Sequence, residues 1–315
     1  MKDILTITLN PALDLSSQTG HVEAGPKLRC AHPDEDAGGG GINVARAVRT
    51  LGGNARAFVA AAGPSGTKVL NLLLAEGVNV VPFASPGETR VSLSIIDQTT
   101  TGQYRFIMPG PVWGTSDCER VRGAILSHAR TGGMVVFSGS LPRGLPVSFY
   151  SDLCPELLDK GCKVVMDTSG LALTHQAQNA TAPASILRMD AHEAETLAKR
   201  DLPTREHSAD FAAELIECGA GQAVIIARGA EGSVLVDGEQ RLFVTAADVP
   251  VRSKTGAGDS FVAGFTLALA RGLDISTAMT HGAAAASAAV MTDATDLCDG
   301  DQAMALRAAC QVSAL

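Results

Sequence analysis

Two glycine-rich turns, each running directly into a helix-like stretch of small and apolar residues, constrain this 315-residue chain more than any other feature. The first is Gly38-Gly39-Gly40-Gly41, followed by Ile42 to Leu51, whose apolar residues recur at helical spacing before Gly52-Gly53 ends the run. The second is Gly256-Ala257-Gly258-Asp259 within Ser253 to Phe265. Bare backbone at a helix start leaves N–H groups unpaired at the positive end of the helix dipole, where an anion is favoured. Asp259 adds a proton acceptor in the same first turn, and Asn43 adds an amide to the other corner. Alone, the second corner reads equally well as a tight strand-to-helix connection, and the first can be a flexible loop with Asn43 an ordinary helix residue. Two in one chain, with no Walker-type G-x-x-x-x-G-K, suggest two ligands meeting.

The pattern around these corners alternates strand and helix. Strands are expected at 4–9, 55–62, 78–82, 134–137, 162–167, 184–188 and 223–227, and helices at 66–76, 117–131, 146–160, near Leu171, 191–199, 208–218, 259–271 and 275–291. Such alternation predicts an α/β fold, a doubly wound sheet with helices on both faces and ligands at the carboxyl ends of its strands. Two stretches break it. Residues 13–36 are polar and turn-rich, with a short β-like piece at Lys27 to Ala31, and 89–110 alternate apolar and polar around Thr99-Thr100-Thr101-Gly102 as a hairpin with one wet face. They are expected to form a small β lid on a core made of 1–12, 37–88 and 111–315.

Hydrophobic residues at 46% with only 4% aromatics suit a buried parallel sheet. A formal charge of −8 argues against nucleic acid or an anionic membrane as partner, so a small anionic ligand needs a local cationic pocket. The seven cysteines are scattered, without a C-x-x-C pair or zinc spacing, and read as reduced thiols of a cytoplasmic protein. The start reads as a strand, not a signal peptide, and the longest small-apolar run, Gly282 to Met291, is too short to span a bilayer. No G-x-G-x-x-G follows the first strand, which disfavours a dinucleotide-binding dehydrogenase.

Asn10-Pro11-Ala12-Leu13-Asp14, Gly25-Pro26-Lys27-Leu28-Arg29-Cys30, Gly38 to Ala47, Tyr104 to Gly110, Ser138-Gly139-Ser140-Leu141-Pro142 and Gly256 to Ser260 occur together in one order. In that order, and over essentially the whole chain, they resemble the PfkB (ribokinase-like) sugar kinases, most of all the branch of 6-phosphofructokinase, 1-phosphofructokinase and tagatose-6-phosphate kinase. The resemblance implies ATP- and Mg²⁺-dependent phosphorylation of a ketohexose phosphate, with fructose 6-phosphate as first choice. It makes Asp259 the base, and Gly256, Ala257 and Gly258 the anion hole for the transferring phosphoryl group, in keeping with a chemistry that needs positioning and charge stabilisation. Asp14, Gly39, Gly40 and Asn43 would hold sugar hydroxyls and Ser140 would add a contact, although Asp14 after Pro11 alone reads as an Asx turn. Lys27, Arg90 and Arg105, three cations in the lid segments of an acidic protein, would take the sugar's phosphate. The lid is also expected to pair two subunits into a homodimer, with Lys27 serving the neighbour's site.

On the nucleotide side the resemblance points to Arg188, Asp190, Gly229, Gly232 and Ser287, and to Glu193, with Asp190, as the Mg²⁺ residues acting largely through water. The family's Lys-Pro-Asn-x-x-Glu stands here as Arg188-Met189-Asp190-Ala191-His192-Glu193, and Asp190 to Glu193 equally has the spacing of a helix-capping box. Ala227 stands where a hydroxyl residue is usual, and Lys254 replaces a small β-branched residue. These changes cluster on the donor side. They leave open, as another class of reading, a sugar-phosphate sensor that binds without turnover, against which the intact Asp259 argues.

Overall fold

Every residue of the first strand, β1 (Ile4–Thr8), is buried, as suits a strand covered on both faces. The computed structural model describes residues 1–293 and 296–315. It continues through β2 (Ala12–Thr19), β3 (Asp34–Gly38), α1 (Gly40–Thr50), β4 (Arg56–Ala61), α2 (Gly63–Ala75), β5 (Asn79–Ala84), β6 (Arg90–Asp97) and β7 (Gln103–Ile107). Then come α3 (Thr115–His128), β8 (Met134–Ser138), α4 (Phe149–Asp159), β9 (Lys163–Asp167), α5 (Gly170–Asn179), β10 (Ala184–Asp190), α6 (Ala191–Ala198), α7 (Arg205–Glu217) and β11 (Gly221–Ala227). The chain closes with β12 (Gly232–Asp237), β13 (Arg241–Thr245), α8 (Ala257–Ala270), α9 (Ile275–Ala289), α10 (Gly300–Leu306) and β14 (Val312–Ala314).

Ten strands make one sheet in the order β14-β13-β12-β11-β10-β9-β8-β1-β4-β5. Strands β11 to β5 of that order run parallel, and the three pairs from β11 out to β14 are antiparallel. Helices cover both faces, as expected. Ile42, Val69, Phe265 and Met279 of α1, α2, α8 and α9 pack one core, and Ile125, Leu153, Leu173, Ala194 and Phe211 of α3 to α7 pack the other. Strand order reverses at β1, which has β4 on one side and β8 on the other, and the resulting crevice lies at their carboxyl ends. The start of α1 is pressed into it: a Cβ at Gly41 would lie 2.5 Å from the Ile7 carbonyl oxygen, so only glycine permits this approach.

The two segments that break the alternation form a separate four-stranded sheet, β3-β2-β6-β7. Its register sets Asp14 between Asp36 and Ser92, and Ser94 beside Arg105, on one polar face. Leu13, Leu15, Leu93, Ile95, Tyr104 and Phe106 alternate onto the other face. A slip of one residue would exchange the two faces. Asp97 ties the sheet's end together, accepting hydrogen bonds from the backbone N–H groups of Val22, Thr99 and Thr100 and contacting His21. Those bonds hold its carboxyl well below the usual carboxylate range.

One local expectation fails and two elements arise unforeseen, each for a physical reason. Lys27 to Ala31 forms no strand; side chains hold it instead, Ser17 and Thr19 donating to the carbonyls of Ala31 and Arg29. Neither α10 nor β14 was expected. The seven residues of α10 bury only Ala303 and carry no apolar stripe, and β14 exists by pairing with β13. Among the described residues no helix is long and apolar enough to cross a membrane.

Candidate active site

At the N-terminus of α8, Gly256 takes the left-handed conformation (φ 76°), which turns the chain sharply into the helix and exposes its first N–H groups. Asp259 stands in that first turn. Its Oδ2 accepts a 2.9 Å hydrogen bond from Asn43 Nδ2 on α1, joining the two glycine-rich corners directly. Ser138, the last residue of β8, places its Oγ 3.4 Å from Asp259 Oδ1 and 3.4 Å from Asp167 Oδ2 at the end of β9. Asp167 in turn receives Arg188 Nη1 at 2.6 Å, and the Arg188 guanidinium lies 5.5 Å over the Phe261 ring. A Cβ at Gly258 would come within 3.2 Å of Arg188 Nη1. Glycine there lets a guanidinium lie beside a helix N-terminus, so a positive charge and open N–H groups sit next to one carboxylate.

Burial, reinforced by the negative charge of Asp167, pushes the Asp259 carboxyl up to about 7, while Asn43, Arg188 and Ser138 partly offset the rise. A carboxyl raised this way holds a proton in the folded chain that it has lost in the unfolded one, so stability falls as pH climbs from the ordinary carboxylate range, about 4, towards neutrality. Asp259→Asn removes this penalty. Its melting temperature should gain on the parent protein more at about pH 8 than at about pH 5; an equal difference at both pH values would show that the carboxyl is not raised.

A cleft of about 580 Å³ opens above this base. Of the residues expected to bind substrate, Asp14, Gly39, Asn43, Arg90, Arg105 and Ser140 line it together with Asp259. Gly40 sits just behind, where a Cβ would meet Ser138 Oγ at 2.3 Å. Lys27 is exposed in the lid segment and lies outside the lining. Burial moves Asp14 up and Arg90 down from their ordinary values, and each charge partly restores the other. Arg90 donates to the Asn10 carbonyl and to Ser92 Oγ, and Asn10 Nδ2 donates to Ser140 Oγ at 3.1 Å.

Several members of the site were not singled out from sequence. Ser138 and Asp167 are strand-end residues whose meeting with Asp259 depends on β8 and β9 being neighbours, which no local pattern reveals. Arg46 and Arg143 also line the cleft. Arg46 faces Glu76 at 2.6 Å.

The residues proposed for the nucleotide side divide. Asp190 and Glu193 form a reciprocal capping box at the start of α6, Asp190 Oδ1 accepting from Glu193 N at 2.8 Å and Glu193 Oε2 from Asp190 N at 3.0 Å. Burial raises Glu193, as do the charges of Asp190 and Asp167. Gly229 starts a short 3₁₀ turn that Arg228 holds, its guanidinium donating to Leu202 O, Pro203 O and Ser208 Oγ. Gly232 answers a packing demand, since a Cβ there would fall 1.9 Å from the Val244 carbonyl oxygen. Ser287 is 4% exposed and its Oγ accepts from Ala247 N at 3.1 Å, so this hydroxyl serves the interior of the fold instead of an open site. Lys254 is exposed. Among the described residues no group of three or more His, Cys, Asp or Glu is placed to hold a metal ion.

Residues 6–300 match the model of the pfkB family carbohydrate kinases. The chain is 34% identical over 301 residues to ATP-dependent 6-phosphofructokinase isozyme 2 of Escherichia coli (strain K12), covering 96% of each chain. It superimposes on phosphofructokinase-2 from E. coli, solved in complex with fructose-6-phosphate, with a TM-score of 0.89 at 32% identity, over 98% of this chain and 99% of that one. Arabidopsis thaliana ribokinase, at 20% identity, has the same fold with a TM-score of 0.75, over 97% of this chain and 98% of that one. With its ribokinase-like α/β fold, the chain belongs to the pfkB family of carbohydrate kinases, enzymes that transfer phosphoryl groups.

Proposed function

We propose that this chain transfers the γ-phosphoryl group of ATP to a hydroxyl of a ketohexose phosphate, converting fructose 6-phosphate to fructose 1,6-bisphosphate. The observation that carries the reading is Asp259 at the foot of a cleft whose walls hold Arg90, Arg105 and Arg143. Asp14, Asn43 and the backbone at Gly39 and Gly40 bind the sugar hydroxyls, and Ser140 adds a contact. Asp259 takes the proton as the substrate oxygen bonds to the γ-phosphorus and the bond to the bridging oxygen of ADP breaks. A base whose pKa lies near neutrality suits that exchange. The open N–H groups from Gly256 to Gly258, with Arg188 beside them, stabilise charge on the transferring group.

A magnesium ion arriving with the nucleotide would neutralise phosphate charge. Asp190 and Glu193 suit its water shell, because the capping box uses only one oxygen of each carboxylate. Gly229 and Gly232 form the turn that faces the base and ribose.

A coupled assay across fructose 6-phosphate, fructose 1-phosphate, tagatose 6-phosphate and fructose should give the highest kcat/KM with the first. Asp259→Asn should lower kcat by about a thousandfold or more with folding intact; near-normal turnover by this variant would refute the assignment of the base. Equal turnover of unphosphorylated fructose would refute the substrate class.

Replacing Arg90 or Arg105 by Ala should raise KM for the sugar phosphate about tenfold or more and leave KM for ATP nearly unchanged. Parallel rises in both constants would count against a phosphate pocket at the lid.

The lid also supports a homodimer. Tyr104 and Phe106 are 40% and 49% exposed on the apolar face of a four-stranded sheet, which a second lid would cover. Lys27, exposed in the other lid segment, 13–36, would then serve the neighbour's cleft. Sedimentation should report a dimer at assay concentrations, and a fully active monomer would sink the idea.

A further inference from the structure

The cleft carries more guanidinium groups than a lid-based phosphate pocket requires, and they are not equivalent. Arg46 is neutralised by Glu76. Arg90 spends donors on Asn10 O and Ser92 Oγ and faces Asp14. Arg105 meets the charge of Asp14, and the hydrogen bond of Arg143 goes to a neutral carbonyl. Arg143 differs from the others in origin: it projects from the core loop between β8 and α4, three residues after Ser140, and not from a lid strand.

Its backbone is fixed from two sides. The Arg143 carbonyl accepts from Trp113 N at 2.8 Å, and the next residue, Gly144 (φ 91°), lies so close to Trp113 that a Cβ would come 2.1 Å from the Trp113 carbonyl oxygen. The side chain spends one donor, Nη2 to Gly110 O at 2.9 Å. A guanidinium has five N–H donors in a rigid fork, so four remain. A long side chain anchored at one end has already lost much of the freedom that binding would otherwise cost.

We infer that Arg143 is a specificity-determining residue which binds the phosphate of the sugar substrate from the core side, opposite Arg105 on β7. This rests on the phosphosugar reading above. The carboxylates Asp14 and Asp259 line the same cleft, and they repel a phosphate unless cations without a carboxylate partner outweigh them; Arg143, whose one bond goes to a neutral carbonyl, is such a cation. A sugar without phosphate gains little from it.

The test compares the parent protein with Arg143→Ala and Arg143→Gln, measuring KM for fructose 6-phosphate and for ATP. Glutamine keeps a donor for Gly110 O and removes the charge. Both variants should raise KM for the sugar phosphate about tenfold and shift KM for ATP less than about twofold, and Arg143→Lys should recover part of the loss. Parent-like KM in Arg143→Gln would assign the residue to tethering Gly110 and overturn the inference, as would equal rises in both constants. If the parent protein prefers another phosphosugar, the substrate reading changes while the same comparison, made with that sugar, still decides the role of Arg143. Preference of the parent for an unphosphorylated sugar would overturn both.

Discussion

One hydrogen bond, from Asn43 Nδ2 to Asp259 Oδ2, joins the starts of two helices that lie 216 residues apart in the chain. Each helix begins at a glycine-rich corner because its N-terminus must come close to something else: α1 to the carboxyl end of β1, α8 to the Arg188 guanidinium. The bond therefore reports that both approaches are correct at once. It also orients the carboxylate that the chemistry needs, while the second oxygen faces Ser138. A displaced α1 would loosen Asp259 and remove the backbone that lines the sugar side of the cleft in the same movement.

Around that bond the site balances charge in a protein that is acidic overall. Arg188 and Asp167 neutralise one another behind Asp259, and Asp14 faces Arg90 in the lid. Burial pushes the Asp14 carboxyl up, and the hydrogen bond from Ser92 and the charge of Arg90 limit the rise. Arg105 and Arg143 are left with donors to spare, so the positive charge available to a ligand is local and modest and does not arise from the chain's net charge. The four-stranded sheet delivers its share through register alone, since alternation puts Asp14, Ser92 and Arg105 on one face and the apolar residues on the other.

Much of this was legible in the residues. Periodicity located nearly all strands and helices, and it failed where an element had no pattern of its own, as in α10 with its single buried residue and in β14 at a sheet edge. The sugar-side residues came from the resemblance, since alone a glycine corner or a hairpin arginine has an ordinary structural use, and Asp14, Gly39, Asn43, Arg90, Arg105 and Ser140 line one cleft with Asp259. On the nucleotide side the residues also carry structural duties that local sequence does not show: Gly232 lies against the Val244 carbonyl and Ser287 accepts from the Ala247 N–H, contacts that exist only once β12, β13 and α9 have met.

The amino-acid sequence by itself determined the alternating α/β architecture, the two glycine corners with their asparagine and aspartate, and the polar and apolar faces of the lid, because each depends on neighbours within a few residues. Tertiary structure alone decided that Ser138, Asp167 and Arg188 gather around Asp259 and that Arg143 lines the same cleft as the lid arginines. Those meetings follow from β8, β9 and β10 lying side by side and from the return of the chain past Gly110 and Trp113. The physical reason is that a carboxylate's ionisation and a guanidinium's freedom to bind are set by which charges come within a few ångströms. That distance is a property of strand order, which local sequence does not encode.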